Sequence, residues 1–422
     1  MQPHNNTMHI ALDISVLRIA QAGVLVYTRS LVDALAEELA ARGGVLTLLD
    51  VLPLNPGRPM RPLPAFDSPA TRVVRCAGLR RGYLSMVPGI RLGPAHGLAE
   101  RVDHALDRPW AAAATAAMGL ALRAATTGAN VFHASDQFQY APTGAATVLT
   151  IHDMTTRVHP EWHVSGNAEL HAAKERFAAR ADHIIADSYA TRDDVVRHLD
   201  VPPERVSVVY LGHDSRYRPH APDETRAVLE RHGLRHGGYI LSLGTLEPRK
   251  NYQRLIEAYA RLQPAHDSST PLVIAGGHGW QVEPILAAPE RHGVTGRVRF
   301  LGRVDDADLP ALVAGSRLFV YPSLYEGFGL PVLEALASGV PVVAADSTSL
   351  PEVLGDAGLL CHPRDPGDIA ARMATLLTDP ALEERLRRAG PARAAAFSWR
   401  RTARDTIAAY EVACDMRRQR RR

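Results

Sequence analysis

The chain has 422 residues, and its 46% hydrophobic and 22% charged residues are typical of a soluble globular protein, not of a disordered or collagen-like one. Five of its 48 basic residues lie in the last six positions, which leaves 43 basic against 45 acidic residues elsewhere. The net charge of +3 therefore describes the tail at 417–422 and gives no reason to expect a nucleic-acid-binding body. Three widely spaced cysteines argue against a disulfide or zinc framework and favour a reducing, cytoplasmic compartment.

The first half of the chain alternates short apolar runs with helical patterns. Strands are predicted at His9–Ile14, Thr47–Leu52, Val131–His133, Thr147–Ile151, His183–Ala186 and Val206–Tyr210, and a helix at Tyr27–Leu39. This alternation predicts a parallel sheet covered by helices. Residues 55–100 do not fit it. They are interpreted as a surface loop over a cleft or as a basic amphipathic segment that touches lipid.

A second set of strands and helices follows a linker predicted at 213–238. Its strands are predicted at Tyr239–Leu243, Pro271–Ala275, Arg297–Leu301, Leu318–Tyr321 and Val340–Ala344, with helices beginning near Asn251, Leu309, Pro331 and Asp365. The sequence thus predicts an α/β protein with two Rossmann-like domains, at 1–212 and 239–398, that face a cleft. A final helix at 399–416 precedes the basic tail at 417–422.

The strongest motif follows the strand predicted to end at Tyr321. It places Glu326 in a glycine-containing loop and Glu334 in the first turn of the helix that begins near Pro331. Ligands bind at the carboxyl ends of strands in open α/β sheets, and a helix N-terminus favours an anion. We therefore expect a phosphate-bearing ligand here, with the two carboxylates accepting hydrogen bonds from sugar hydroxyl groups. A local capping role is the alternative for Glu334.

A second motif, Gly244 to Asn251, follows the first strand of the second half and precedes a helix. It contains Lys250, one of only two lysines in the chain, directly after Arg249. Two adjacent cations in a strand-to-helix loop can neutralise the charges of a diphosphate. An exposed, solvated pair is the alternative.

Two motifs of the first half are expected near the same ligand. His152 and Asp153 follow a predicted strand, where the imidazole can hydrogen-bond a ligand from the opposite wall of the cleft. A local capping pair is the alternative. Gly23 lies in the first strand-to-helix turn, but it is the only glycine there, so the turn is not a dinucleotide-binding fingerprint.

In combination these motifs resemble the retaining glycosyltransferases of the GT-B fold, group 1, also called glycosyltransferase family 4. The likeness extends over nearly the whole chain. Glu326 and Glu334 match the family's two glutamates separated by seven residues, and Gly244 to Asn251 resembles its diphosphate loop. The final helix resembles the one that crosses back to the first domain. The chain is most similar to a subgroup with many mannosyltransferases of O-antigen and exopolysaccharide assembly.

The resemblance implies a role for each matched residue. Arg249 and Lys250 would hold the donor diphosphate, and Glu334 the ribose hydroxyls. Glu326 and His152 would contact the transferred sugar from the two sides of the cleft. The implied catalytic residues are His152, Glu326, Arg249 and Lys250, and the implied donor-binding residues are Gly23, Gly244, Thr245, Arg249, Lys250, Glu326, Gly327, Phe328, Gly329, Leu330 and Glu334.

Two departures from the family stand out. Thr245 replaces an arginine of many relatives outside the subgroup, and the Gly23 turn lacks the subgroup's second glycine and arginine.

The implied function is transfer of a hexose, mannose from GDP-mannose, to a hydroxyl of a lipid-linked or oligosaccharide acceptor with retention of configuration. Cations and a helix N-terminus would stabilise the departing diphosphate, so neither a metal nor another cofactor is expected. A transferase using UDP-glucose, UDP-GlcNAc or UDP-galactose, and a sugar-nucleotide epimerase or hydrolase, are the alternatives. The expected location is cytoplasmic, with the arginine tail either holding the enzyme on an anionic membrane or remaining solvated. No nucleic-acid partner is expected.

Overall fold

The computed structural model describes residues 7–18, 23–54, 62–79, 120, 123–134, 144–163, 168–262 and 270–422. These residues form two parallel sheets, each with helices packed on it, so the predicted α/β class is confirmed. Within those ranges, no helix combines the length and the apolar character that a membrane span requires.

The first sheet has seven strands in the order β3-β2-β1-β4-β5-β6-β7. They are β1 (His9–Asp13), β2 (Val45–Leu54), β3 (Thr71–Leu79), β4 (Val131–Ala134), β5 (Ala146–Ile151), β6 (His183–Ala186) and β7 (Val206–Val208). All residues of β4, β5 and β6 are buried, as expected for parallel strands covered on both faces. The strand order reverses between β1 and β4, which opens a crevice at their carboxyl ends.

The second sheet has six strands in the order β10-β9-β8-β11-β12-β13. They are β8 (Ile240–Leu243), β9 (Leu272–Ala275), β10 (Val298–Gly302), β11 (Leu318–Tyr321), β12 (Val342–Ala345) and β13 (Leu359–Cys361). Here the order reverses between β8 and β11. The loops after these two strands carry the two strongest sequence motifs, so both motifs lie at one crevice.

Helices connect the strands and cover the sheets. In the first half they are Gly23–Ala41, Thr155–Val158, Ala168–Arg180 and Tyr189–Leu199. In the second half they are Pro222–Arg231, Tyr252–Arg261, Glu283–Leu286, Ala288–Arg291, Leu309–Ala314, Leu330–Ala337, Leu350–Leu354, Pro366–Thr378 and Pro380–Ala394. The C-terminal helix, Trp399–Arg421, packs against the helix Gly23–Ala41 and strands β5 and β6, so it lies on the first sheet.

The structure differs from the sequence prediction in three places. Part of 55–100 is the edge strand β3, in which the polar residues Thr71, Arg72 and Arg75 do not alternate regularly with apolar ones. The rest, apart from 62–70, lies outside the described residues. The predicted linker contains the helix Pro222–Arg231. The last helix continues through Arg421, because Arg417 and Arg420 in the predicted tail pair with Asp182. The domain limits at 212 and 239 stay a prediction.

Candidate active site

The loop after β8 is fixed against the loop after β11. Residues Pro248–Lys250 form one turn of 3-10 helix, and Asn251 follows in a left-handed conformation with φ 62°. The Asn251 amide donates hydrogen bonds to the carbonyl oxygens of Pro322 (2.9 Å) and Pro363 (2.6 Å). Asparagine tolerates this backbone conformation better than most residues. The side chains of Arg249 and Lys250 are thereby aimed into the crevice between β8 and β11.

Arg249, Lys250 and Glu326 form a buried ionic cluster in that crevice. Lys250 Nζ lies 2.6 Å from Glu326 Oε1, and Arg249 Nη1 lies 2.8 Å from Glu326 Oε2. Arg249 also binds Glu247 at 2.8 Å, and the Tyr321 hydroxyl donates to Glu326 at 3.0 Å. The Arg249, Lys250 and Glu326 side chains are 18%, 10% and 9% exposed, which excludes the solvated surface pair considered above.

The electrostatics of the cluster keep Glu326 ionised. Burial alone raises the pKa of a carboxyl, but Arg249 and then Lys250 outweigh it and lower the pKa of Glu326 to about 2. Burial, followed by the neighbouring Arg249, lowers the pKa of Lys250. Burial also works against the charge of Arg249, yet Glu326 and Glu247 raise its pKa above the ordinary value. The cluster combines two cationic groups with two carboxylates in a space poor in water.

Glu334, the second glutamate of the motif, lies apart from this cluster. Its neighbours are Asp214 and Tyr217, from the segment that joins the two sheets. Burial, together with the charge of Asp214, raises the pKa of Glu334 to about 8. The two glutamates are therefore in opposite electrostatic environments, one held ionised and the other favoured in its neutral form.

The residues between the two glutamates form the turn into the helix Leu330–Ala337. Gly329 has φ 106°, a conformation that favours glycine. The Ser349 hydroxyl holds the turn by donating to the carbonyl oxygens of Glu326 (3.0 Å) and Phe328 (2.8 Å). Phe328 is buried against two other aromatic rings. Leu330 begins the helix on the side that faces the first domain.

His152 enters the site from the first domain, directly after β5. Its Nδ1 lies 2.7 Å from Asp187 Oδ2, so its carboxylate partner is Asp187, at the end of β6, and not the adjacent Asp153. The carboxylate of Asp153 instead accepts the backbone N–H of Thr155 at 3.0 Å, as in the capping alternative. The Tyr27 ring contacts the His152 imidazole edge-on, with ring centroids 4.5 Å apart.

The two domains meet at Gly327. A Cβ atom at this position would lie 1.7 Å from the His152 carbonyl oxygen, so only glycine permits this approach of the two backbones. The Thr191 hydroxyl donates to the Gly327 carbonyl at 3.1 Å. The structure therefore brings His152, from one domain, next to the loop of Glu326, from the other.

Three other predicted donor-binding residues lie around this site. Gly23 begins the helix Gly23–Ala41, and a Cβ there would lie 4.0 Å from Leu330 Cδ1 across the cleft. Gly244 has φ 146° and stands directly after β8. Thr245 is partly exposed, and its side chain lies close to Gly279.

Several contributors to the site were missed. Glu247 lies inside the second motif and Tyr321 directly precedes the strongest one, but only their spatial proximity to Arg249 and Glu326 reveals their role. Glu352 had no sequence signal. Its carboxylate accepts the backbone N–H groups of Tyr189 (2.9 Å) and Ala190 (2.8 Å), at the start of a helix of the other domain. Across the described ranges, no group of three or more His, Cys, Asp or Glu side chains is arranged to hold a metal ion.

Sequence comparison finds the glycosyltransferase family that the sequence motifs resemble. The family described as "Glycosyl transferases group 1" matches residues 230–393, and "Glycosyltransferase Family 4" matches residues 28–217. The chain is 39% identical over 266 residues to O-antigen chain mannosyltransferase B of Escherichia coli, covering 63% of this chain and 70% of that protein. It is 33% identical over 270 residues to the serotype-specific mannosyltransferase WbdA of E. coli, covering 63% of this chain but only 33% of WbdA.

Solved structures share the fold. Sucrose-phosphate synthase from Thermosynechococcus elongatus superposes with a TM-score of 0.67 at 21% identity, covering 96% of this chain and 98% of that one. WaaG, a glycosyltransferase involved in lipopolysaccharide biosynthesis, superposes with a TM-score of 0.64 at 16% identity, covering 94% and 98%. The predicted GT-B class is therefore confirmed.

Proposed function

This chain belongs to the group 1 glycosyltransferases, and we propose that it transfers mannose from GDP-mannose to a hydroxyl group of a lipid-linked or oligosaccharide acceptor, with retention of configuration. The product would serve cell-surface polysaccharide or glycolipid synthesis. The observation that carries the proposal is the cluster of Arg249, Lys250 and Glu326, beside which the backbone of Gly327 contacts that of His152. Its residue types suit a negatively charged sugar donor. The similarity to O-antigen chain mannosyltransferase B supports mannose as the sugar.

The chemistry assigned to the cluster is stabilisation of the leaving group. Breaking the bond between the sugar and the diphosphate leaves negative charge on the phosphate oxygens. Arg249, Lys250 and the N-terminus of the helix Leu330–Ala337 supply positive charge and N–H donors at that point. Both cations are paired with Glu326 in the structure, so the diphosphate would share or replace that carboxylate as their partner. The protein's own cations make a metal ion unnecessary in this proposal.

Retention follows in the proposal from attack on the face of the sugar that the diphosphate leaves. The acceptor hydroxyl gives its proton to the departing phosphate, and its oxygen forms the new glycosidic bond. Glu326 and His152 hold the sugar between the two domains, and Glu334 receives the ribose hydroxyls. Contact between Gly327 and His152 excludes water from the reacting carbon, which limits hydrolysis of the donor.

Donor choice is tested by thermal shift of the purified protein with GDP-mannose, UDP-glucose, UDP-GlcNAc, UDP-galactose and ADP-glucose. Binding to the folded state alone raises Tm, by a stabilisation of about 2.7 kcal/mol at a hundredfold excess over Kd. We expect the largest increase with GDP-mannose. A larger increase with a UDP-sugar would replace the donor assignment and leave the transferase assignment standing. Rapid release of an epimer or free sugar without acceptor would instead favour the epimerase or hydrolase alternative.

The role of the cluster is tested with Lys250→Ala. Hydrogen bonds to charged groups contribute about 1.5–3 kcal/mol, so transfer should fall by roughly 10- to 100-fold. The matched control is Arg388→Ala, which removes a basic side chain of the same domain that is 76% exposed and lies on the helix Pro380–Ala394. Full transferase activity in Lys250→Ala would contradict the diphosphate assignment.

We also propose that the protein acts on the cytoplasmic side of a membrane and contacts anionic lipid through the end of its C-terminal helix. Arg418, Arg420, Arg421 and Arg422 lie at this end with exposed or partly exposed side chains, although Asp182 and Asp415 pair with some of them. Each basic residue near such a surface contributes about 1 kcal/mol. Deleting 417–422 should weaken binding to phosphatidylglycerol vesicles at low salt, and unchanged binding would favour a merely solvated tail.

A further inference from the structure

A buried chain of hydrogen bonds runs from the C-terminal helix to the wall of the cleft. The Tyr410 hydroxyl lies 2.7 Å from His133 Nδ1, and His133 Nε2 lies 2.8 Å from Thr150 Oγ1. Thr150 Oγ1 in turn lies 2.9 Å from the Tyr27 hydroxyl. None of the four residues is more than 6% exposed. Water therefore does not compete for these groups, and their hydrogen bonds must be satisfied within the protein.

The protonation states in this chain are restricted by burial. Burial, and secondarily the charge of His152, lowers the pKa of His133 to about 3, so its ring is neutral near pH 7. A neutral imidazole has one N–H donor and one acceptor nitrogen. Burial raises the pKa of both Tyr27 and Tyr410, so each hydroxyl keeps its hydrogen. Each bond in the chain consequently has one donor and one acceptor.

Hydrogen-bond donation along this chain can run consistently in two directions. In the first, Tyr27 donates to Thr150, Thr150 to His133, and His133 to Tyr410. The hydrogen of Tyr410 is then buried without an acceptor among the described residues. In the second, Tyr410 donates to Nδ1 of His133, whose Nε2–H donates to Thr150, and Thr150 donates to Tyr27. The hydrogen left over then belongs to Tyr27.

A mixed arrangement, in which His133 and Tyr27 both donate to Thr150, strands the hydrogen of Thr150 instead. A buried donor without an acceptor is strongly unfavourable, so the preferred direction is the one that leaves its hydrogen on the residue with the best access to an acceptor outside the chain.

Tyr410 is fully buried and is not among the residues that line a narrow cavity next to His152, whereas Tyr27, Thr150 and His133 all line it. Tyr27 is the most exposed of these three, at 6%. Its ring edge lies against the His152 imidazole, with centroids 4.5 Å apart. The hydrogen that the preferred direction leaves over is therefore presented beside His152, where a ligand oxygen can accept it. The other end of the chain, Tyr410, lies on the C-terminal helix.

We propose that Tyr27 donates a hydrogen bond to the saccharide bound beside His152, and that Tyr410 sets the direction of this bond from the C-terminal helix. The proposal rests on the proposed function, because it takes a saccharide as the ligand. Tyr27 is then a ligand-binding residue, and His133 and Tyr410 are positioning residues. The C-terminal helix accordingly has a function beyond covering the first sheet, since the hydroxyl of its Tyr410 orients a donor at the ligand site.

The direction of the chain is tested by NMR of the full-length protein with ¹⁵N-labelled histidine. The two tautomers of a neutral histidine have distinct ¹⁵N shifts at their protonated and unprotonated nitrogens. We expect the Nε2–H tautomer for His133, with its signals identified by their loss in His133→Asn. The Nδ1–H tautomer would overturn the proposal. This measurement needs no substrate, so it can fail or succeed independently of the proposed transferase activity.

The role of the Tyr27 hydroxyl is tested with Tyr27→Phe, which removes only that group. We expect kcat/KM to fall by about 5- to 10-fold, as for loss of one hydrogen bond between neutral groups. The matched control is Tyr259→Phe, because the Tyr259 hydroxyl is also buried but donates to the Thr270 carbonyl in the second domain. Equal kcat/KM in Tyr27→Phe and this control would overturn the proposal.

The coupling to the C-terminal helix is tested with Tyr410→Phe. Without the Tyr410 hydroxyl nothing fixes the direction, so both tautomers of His133 should become populated and kcat/KM should fall less than in Tyr27→Phe. The double variant should then match Tyr27→Phe alone, because Tyr410 acts only through Tyr27. Losses that multiply, with the His133 tautomer unchanged, would show a structural role for Tyr410 and refute the coupling.

Discussion

Replacing Gly327 with alanine should block the closed form of the protein without disturbing either domain. The added Cβ would lie 1.7 Å from the His152 carbonyl oxygen and 2.8 Å from the carbonyl carbon. Gly327 has no positive φ, so alanine is compatible with its own backbone conformation. The obstacle lies entirely in the other domain. The Gly327→Ala protein should therefore fold normally and bind donor through Arg249 and Lys250, but it should fail to bring His152 into place.

The size of the effect follows from the distances. Ordinary Cβ contacts begin at 3.4 Å, so a Cβ at 1.7 Å requires the two backbones to separate by about 1.5–2 Å. Neither side can yield by rotating a side chain, because both contacting groups are backbone. A misplacement of about 1 Å at a reacting centre reduces rate by roughly 100-fold. We expect kcat/KM to fall at least that far, with a smaller increase in the Kd for the donor, because the open form keeps Arg249 and Lys250 but lacks the contact to His152.

The assay compares transferase activity, donor Kd and radius of gyration from small-angle scattering. The control is Gly296→Ala, also in the second domain, where an added Cβ meets nothing within 4 Å and φ is not positive. Gly327→Ala should show a larger radius of gyration and lost transfer, and Gly296→Ala should behave as wild type. Activity of Gly327→Ala within twofold of wild type would refute the view that this contact is part of the active state.

Two further predictions concern the second domain. Glu352→Gln removes the charge that accepts two N–H groups at a helix start of the first domain, a loss of about 1–2 kcal/mol. It should increase the radius of gyration and lower kcat/KM several-fold, whereas Glu384→Gln, at an exposed pair, should do neither. Glu334→Gln tests the carboxyl whose pKa is raised to about 8 by burial and Asp214. The stability that neutral Glu334 contributes is complete below the pKa of this group in the unfolded chain, and it is lost as pH rises through 8. The Tm of wild type should therefore fall relative to that of Glu334→Gln between pH 5 and 9. Parallel Tm curves would contradict the shift.

Much of the fold could be predicted because the inner strands are short runs of apolar residues. Strands β4, β5, β6 and β11 are buried at every position, and the sequence shows each of them directly. Edge strand β3 has polar residues among its apolar ones, and β13 has only three residues, so neither produced a recognisable pattern. Buried parallel strands are recognised by composition, whereas edge strands depend on pairing that a sequence does not display.

The site was predicted in part for a similar reason. Motifs that follow strand ends indicate which loops meet, and this brought His152 and Glu326 into one cleft. It did not predict that Glu334 turns toward Asp214, because the direction of a side chain on a helix depends on the local packing. The chain from Tyr410 to Tyr27 joins four separate segments, and no single segment carries a signal for it.

The contacts between the domains couple donor binding to domain closure. The loop that carries Glu326 also supplies the Gly327 carbonyl to Thr191 and the Tyr325 hydroxyl to Asp194. A ligand that draws Arg249 or Lys250 away from Glu326 changes the forces on this loop, and therefore on both contacts with the first domain. A ligand shifts such an equilibrium only through a difference in affinity for the two forms. The closed form offers the donor His152 in addition to the cluster, so donor binding should favour closure, and variants that open the cleft should weaken contacts to the sugar more than contacts to the diphosphate.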